Sequence, residues 1–148
     1  MEIKSRIEFG GFKTSPLARQ LVNEVLDNDW PCSGPMVLKF EEEWGKLFSY
    51  KYNKAVSSGT DAVLNACMSL YDLGASQNDY ILLPALCFIA TANAIRAAGF
   101  QPLFCDIKLD TLNLDETKVE DLIDSVKSHQ AKVVAIIAVS TMGKPCKM

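Results

Sequence analysis

Residues 57–61, Ser-Ser-Gly-Thr-Asp, place small and hydroxyl-bearing side chains between a short apolar stretch and a helical pattern. The first N–H groups of a helix have no acceptor within the helix, and the helix dipole favours a negative charge there. The turn is therefore a candidate cup for a phosphate group. The alternative is an ordinary strand-to-helix turn in which Ser58 or Thr60 caps the helix. The helical pattern has Ala62, Val63, Ala66, Cys67 and Leu70 on one face.

The composition of this turn limits which ligand it can hold. It lacks the G-x-G-x-x-G spacing of a dinucleotide site and the Gly-Lys-Ser/Thr ending of a P-loop. The pattern instead predicts a cup for a single phosphate, without a lysine of its own. Asp61 opposes an anion if its carboxylate points into the cup, and compensates the helix dipole if it points outward.

Two further residues follow predicted strands, where ligands bind in parallel α/β sheets. Phe88 comes shortly after the second predicted strand and can stack its ring on a flat heteroaromatic group; the alternative is a core residue. Asp106 ends the third predicted strand, either as a ligand or as a turn residue. A phosphate cup and a stacking ring on one sheet together indicate a phosphorylated aromatic cofactor.

The elements that position these residues change in type along the chain. Residues 1–50 are predicted to form an N-terminal helical segment with two helices, the first beginning at Ser15-Pro16. Residues 51–148 alternate between strand and helix patterns, which predicts a mostly parallel sheet with helices on both faces. Strands are predicted at 54–57, 79–84, 102–106 and 132–139, and helices at 60–73, 88–98 and 115–126.

The last predicted strand is apolar on both faces, which is typical of an interior strand. We therefore expect it to be covered either by another chain or by further residues of a longer protein. The exposed apolar surface that it would otherwise leave is a reason to expect association.

Composition excludes several classes of function. The chain has 148 residues, 49% of them hydrophobic, and a net charge of −3, so no electrostatic attraction to nucleic acid or anionic membrane is expected. No apolar run is long enough for a membrane span, and the N-terminus, Met-Glu-Ile-Lys-Ser-Arg, has no apolar core of a signal peptide, which predicts a cytoplasmic protein. The five cysteines form no C-x-x-C pair and are expected to be reduced, while a single histidine, His129, argues against a metal site.

Four motifs occur in register along the chain: Phe40-Glu41-x-x-Trp44, Ser58-Gly59-Thr60-Asp61-Ala62, Pro84-x-x-x-Phe88-x-Ala90-Thr91-x-Asn93-Ala94 and Gly99-x-x-Pro102-x-Phe104-x-Asp106. Together they resemble the sugar-aminotransferase family, the DegT/StrS group, over residues 14 to 148. The members of this family are pyridoxal-phosphate enzymes of the aspartate-aminotransferase fold. The resemblance implies a partial large domain of that fold, so that residues 51–148 form an incomplete cofactor-binding α/β domain.

The resemblance implies roles for five residues. Gly59, Thr60 and Asp61 match the segment that holds the cofactor phosphate, and Phe88 matches the aromatic residue that stacks on the pyridine ring. The loop around Trp30 matches a region near the substrate entrance. The family's reaction moves an amino group from glutamate or glutamine to a keto-sugar nucleotide or a keto-cyclitol, and its members are dimers with active sites at the interface.

Two catalytic groups of the family lie beyond residue 148: the Schiff-base lysine and the aspartate that pairs with the pyridinium nitrogen. Lys144 and Lys147 do not lie in the family's lysine motif, so no catalytic residue is assigned in this chain. Because a covalent lysine cannot be replaced by tighter binding, the chain alone is expected to be inactive. Two alternatives remain: a non-enzymatic remnant that serves in binding or assembly, and another enzyme class that uses Asp106 or a cysteine, which predicts a buried Phe88.

Overall fold

The computed structural model describes residue 11 and residues 13–127 and 131–147. The described residues form two compact units, one up to Ala55 and one from Val56 onward. The predicted boundary between residues 50 and 51 stays a prediction. Among the described residues, no helix has both the length and the apolar character that a membrane span requires.

The first unit contains two helices, α1 (Pro16–Asp27) and α2 (Pro35–Phe48). The Ser15 hydroxyl accepts the N–H of Ala18 at 3.1 Å, and Pro16 occupies the first helical position, where its missing N–H costs nothing. Helix α2 ends at Ser49 in a left-handed conformation. The predicted pair of N-terminal helices is confirmed.

Helix α2 carries a row of aromatic side chains one turn apart. The rings of Phe40 and Trp44 have centroids 5.7 Å apart, and those of Trp44 and Phe48 are 4.5 Å apart. All three rings are about half exposed, so this aromatic face of α2 is not buried within its own unit.

The second unit is an α/β layer structure. Its elements are α3 (Gly59–Met68), β1 (Tyr80–Pro84), α4 (Ile89–Ala97), β2 (Gln101–Cys105), α5 (Val119–Val126) and β3 (Val133–Ile136). The three strands form a parallel sheet in the order β2-β1-β3. Parallel crossovers are right-handed, and the chain moves from β1 to one side through α4 and then back across to the other side through α5. The two helices therefore lie on opposite faces, which confirms the predicted architecture.

The core of this unit lies between the central strand and helices α3 and α4. Ile81 and Leu83 of β1 are fully buried, and Cys67, Ile95 and Phe100 pack with them. Because successive strand residues point to opposite faces, Leu82, also fully buried, faces the other side of the sheet. The central strand is thus covered on both faces and fixes where its carboxyl end opens.

Strand β2 forms one edge of the described sheet. The N–H of Gln101 donates to the carbonyl of Asp79 at 2.9 Å, so the nitrogen of the next residue, Pro102, points away from β1. Proline has no N–H to donate and is tolerated at such an outward position of an edge strand.

The strand predicted at residues 54–57 is wrong, because none of the strands that the structure describes includes these residues. Their backbone has another partner. The Glu41 carboxylate of α2 accepts the N–H of Ala55 at 2.9 Å and pairs with the Lys54 ammonium at 3.0 Å. These two contacts hold the pKa of Glu41 below its usual range.

The last strand is shorter than predicted. Strand β3 spans four residues instead of the eight expected from its apolar run, and Ile136 remains 47% exposed. The pairing reaches Leu82, which is opposite Ile136, and the last hydrogen bond joins the Ile137 N–H to the Leu82 carbonyl at 2.8 Å. The next position of β1 that faces β3 is Pro84, which has no N–H to donate.

Candidate functional site

The turn at residues 57–61 is a capped helix start. Ser58 is extended and precedes α3, and its hydroxyl accepts the N–H of Asp61 at 3.1 Å. Of the two residues that the sequence offered as the helix cap, the structure therefore selects Ser58.

The carboxylate of Asp61 folds back toward the serines that precede it. It accepts the hydroxyl of Ser58 at 3.0 Å and also that of Ser57. These hydrogen bonds hold the pKa of Asp61 below its usual range, so the side chain carries its negative charge at neutral pH. A negative charge in the first turn of a helix compensates part of the dipole.

Gly59 and Thr60 leave donors free at the start of α3. Within the described part of the chain, neither N–H group has an acceptor, and the Thr60 hydroxyl has no partner. A Cβ atom added at Gly59 would meet nothing within 4 Å, so the space above this residue is open. The N–H of Asp61, in contrast, is taken by Ser58. Two of the three residues predicted for the phosphate cup thus offer free main-chain donors.

Phe88 lies on the surface. Its side chain is 77% exposed, and the residue forms the N-cap of α4 at the end of the short loop that follows β1. The interpretation of Phe88 as a core residue is therefore wrong, and the ring is available for stacking at the carboxyl end of the central strand. The same exposure disagrees with the alternative enzyme class, which required a buried ring.

Asp106 acts as a turn residue. Its carboxylate accepts the N–H of the following residue, Ile107, at 2.8 Å, and its carbonyl accepts the N–H of Asp115 at 2.9 Å. Both contacts close the loop between β2 and α5. Nothing in this geometry requires a ligand.

Trp30 lies in the first unit, in the loop between α1 and α2. Its indole N–H donates to the Ser33 carbonyl at 3.3 Å, and a Cβ atom added at Gly34 would approach the ring to 2.4 Å. The ring is 59% exposed and lines a groove of about 430 Å³ together with Val25 and Val37. Its place near a substrate entrance stays a prediction.

The cysteines behave as structural thiols where they are buried. Burial raises the pKa of the Cys67 and Cys105 thiols, which disfavours the reactive thiolate. Among the described residues, no group of three or more histidine, cysteine or acidic side chains could hold a metal ion. His129 lies outside the described residues.

The sequence interpretation missed Asn113, which is a buried polar residue with 4% of its surface exposed. Its side chain bonds the main chain of Thr141, Lys144 and Pro145. The only local signal is an asparagine between Leu112 and Leu114, which reads as a loop residue because its partners lie about thirty positions away.

Comparison with known proteins agrees with the predicted resemblance. The model of the DegT/DnrJ/EryC1/StrS aminotransferase family matches residues 14–148. The GDP-perosamine synthase of Escherichia coli O157:H7 is 34% identical over 131 residues, which cover 88% of this chain and 34% of that protein. The chain thus spans about a third of the length of the curated relatives that it matches.

Solved structures show the same relationship in three dimensions. A DegT/DnrJ/EryC1/StrS aminotransferase from Brucella abortus is 26% identical with a TM-score of 0.79, over 87% of this chain and 34% of that one. GDP-4-keto-6-deoxymannose-3-dehydratase with a trapped PLP-glutamate geminal diamine is also 26% identical, with a TM-score of 0.72, over 78% of this chain and 31% of that one. Family match, sequence identity and fold agree: the chain belongs to the DegT/DnrJ/EryC1/StrS aminotransferase family.

Proposed function

We propose that this chain is the N-terminal part of a pyridoxal-phosphate-dependent aminotransferase. The reaction transfers an amino group from glutamate or glutamine to a keto-sugar nucleotide or a keto-cyclitol. Family membership supports the reaction, and the GDP-sugar relatives support a nucleotide sugar as the acceptor. The relative that traps PLP with glutamate supports both the cofactor and the amino donor.

One observation carries this proposal: the second unit offers both free donors for a phosphate and an exposed ring for a heteroaromatic group. The N–H groups of Gly59 and Thr60 and the Thr60 hydroxyl would hold the phosphate, with Asp61 completing the turn. Phe88 would stack on the pyridine ring. The open space at Gly59 fits close approach of a phosphate to the main chain.

The cofactor and the residues of this chain have different roles in the proposed reaction. When bound, pyridoxal phosphate supplies the electron sink for amino transfer. The residues of this chain bind the phosphate and orient the ring. Trp30, in the other unit, is proposed to lie near the substrate entrance.

The chain alone is proposed to lack aminotransferase activity. Lys144 is exposed and Lys147 lies 4.0 Å from the Glu116 carboxylate, and neither is proposed as the lysine that binds the cofactor covalently. An assay with glutamate, a keto-sugar nucleotide and added cofactor should give no more turnover than free pyridoxal phosphate. The complete protein is proposed to be a cytoplasmic homodimer.

Cofactor binding can be tested without covalent side reactions. Pyridoxamine phosphate has no aldehyde, so it cannot react with surface lysines. We expect it to shift the amide NMR signals of Gly59 and Thr60 and the ring signals of Phe88, whereas pyridoxamine, which lacks the phosphate, should bind more weakly.

The matched variants are Phe88→Ala and Phe104→Ala, because both remove an exposed phenylalanine ring and Phe104 lies on the edge strand β2. We expect about two- to tenfold weaker binding in Phe88→Ala, since ring stacking contributes about 0.5–1.5 kcal/mol, and unchanged binding in Phe104→Ala. Absence of shifts at Gly59 and Thr60, or equal effects of the two variants, would overturn the proposed site.

A further inference from the structure

Asn113 joins two loops through every polar group of its side chain. Its amide oxygen accepts the N–H of Thr141 at 2.9 Å. Its amide nitrogen donates to the carbonyl oxygens of Lys144 at 2.9 Å and Pro145 at 3.2 Å. A buried side chain with all its donors and acceptors paired fixes the geometry of the groups around it.

The loop that carries Asn113 is itself closed at its base. Ile107 and Leu114 form an antiparallel bridge, and the Asp115 N–H bonds the Asp106 carbonyl at 2.9 Å. Leu112 adopts a positive φ of 60°, which is unfavourable for a leucine and turns the chain directly before Asn113. The side chain is therefore presented from a defined loop.

The residues that Asn113 holds form an irregular segment, residues 141–145. Met142 and Gly143 have positive φ values of 54° and 77°, and the segment begins five residues after the last residue of β3, Ile136. An irregular segment of this kind needs side-chain partners to adopt a single conformation.

The position of this contact in the sheet is informative. Asn113 follows β2, and residues 141–145 follow β3, while the sheet order is β2-β1-β3. A side chain that connects the segments after the two flanking strands must pass beyond the carboxyl end of the central strand β1. The loop leading to Phe88 leaves that same end.

We propose that Asn113 is a positioning residue of the cofactor site: it fixes residues 141–145 as a wall beyond the carboxyl end of β1, beside the loop that carries Phe88. This inference rests on the proposed function. A wall that is already ordered loses little conformational freedom when a ligand packs against it. The hydrogen bonds of the Asn113 side chain therefore strengthen binding of the cofactor ring. The phosphate cup at the start of α3 does not include this segment.

The test compares two ligands in three chains. Pyridoxamine phosphate and inorganic phosphate are titrated into the unchanged chain, Asn113→Ala and Asn23→Ala, with amide NMR shifts as the readout. In Asn113→Ala we expect about three- to tenfold weaker binding of pyridoxamine phosphate and unchanged binding of phosphate, because only the ring meets the wall. A purely structural role would weaken both ligands equally.

Asn23→Ala is the matched control, because it makes the same substitution outside the proposed cofactor site. Asn23 lies on α1, and its side chain is exposed and has no hydrogen-bond partner among the described residues. We therefore expect unchanged affinity for both ligands.

If Asn113→Ala does not fold, Asn113→Ser replaces it. The serine hydroxyl has one hydrogen to donate and cannot pair with all three main-chain groups at once, so intermediate weakening is expected. Unchanged affinity for pyridoxamine phosphate, or equal loss of both ligands, would overturn this inference alone. Failure of the unchanged chain to bind pyridoxamine phosphate would overturn the proposed function and this inference with it.

Discussion

Asp61 directly follows the proposed phosphate donors Gly59 and Thr60 in the first turn of α3, and its negative charge has two opposing effects. The Ser58 hydroxyl accepts the Asp61 N–H and donates to the Asp61 carboxylate, and these two hydrogen bonds stabilise the start of α3. The same charge partly compensates the dipole that would attract a phosphate. The turn therefore combines a structural anion with a proposed site for a second one.

The first of these roles predicts a pH dependence of stability. Hydrogen bonds lower the pKa of Asp61 in the folded chain, so its contribution is fully present above the unfolded pKa of about 3.9. The contribution is lost as the pH falls through the folded pKa. Asp61→Asn should thus be less stable than the unchanged chain at neutral pH, and the difference should vanish in acid. Urea denaturation at a series of pH values measures it.

The comparison between chains is necessary because the pKa values of Glu41 and Glu116 are also lowered. Asp72→Asn is the control, since the Asp72 carboxylate accepts no hydrogen bond among the described residues. A stability gap between Asp61→Asn and the unchanged chain that persists in acid would contradict the prediction.

At the scale of elements, short-range sequence patterns correctly predicted most of the helices and strands. Ser15 caps α1 as expected, and Gly99 ends α4 with a φ of 89°, in a position where a Cβ atom would come within 2.8 Å of the Tyr71 hydroxyl. Short-range patterns encode such caps, because the groups involved are a few residues apart.

The failures at this scale have a common physical cause. Residues 54–57 read as a strand, but Glu41, fourteen positions earlier than Ala55, takes the N–H that a strand partner would use. The Asn113 side chain forms hydrogen bonds with residues 28 to 32 positions further along the chain. In the candidate site, the exposure of Phe88 likewise depended on packing and not on spacing. Long-range partners leave no periodic trace in the sequence.

Asp79 shows how one side chain can align two strands. It is 5% exposed, and its carboxylate accepts the N–H of Ser76 at 2.8 Å and that of Lys132, directly before β3, at 3.1 Å. Asp79→Ala leaves both donors without this acceptor, so we expect a loss of about 1–3 kcal/mol in the free energy of unfolding.

Chemical denaturation of Asp79→Ala and of the exposed control Asp72→Ala gives the two free energies. We expect the control to lie within about 0.5 kcal/mol of the unchanged chain. If both variants lose the same stability, Asp79 does not align the start of β3.

At the scale of the whole molecule, apolar side chains remain exposed in both units. The aromatic face of α2, formed by Phe40, Trp44 and Phe48, is one such surface, and Ile136 on β3 belongs to the other unit. Exposed apolar groups of this size favour association. The proposed homodimer is consistent with this surface.

We expect sedimentation velocity to show association that increases with protein concentration. Phe40→Glu should weaken it, because the substitution places a charge among the exposed rings, whereas Lys39→Glu, at an exposed position paired with Glu43, should not. A single monomeric species at all concentrations would contradict the proposed dimer.

Pro102 in strand β2 influences which edge of the sheet can pair with a further strand. Because the nitrogen of Pro102 points outward and carries no hydrogen, that margin lacks a donor that an incoming strand would need. The opposite margin, β3, contains no proline and keeps its main-chain donors. Within the described sheet, recruitment of a further strand is thereby biased to the β3 side, whichever polypeptide supplies it, and end-to-end polymerisation through both margins is disfavoured.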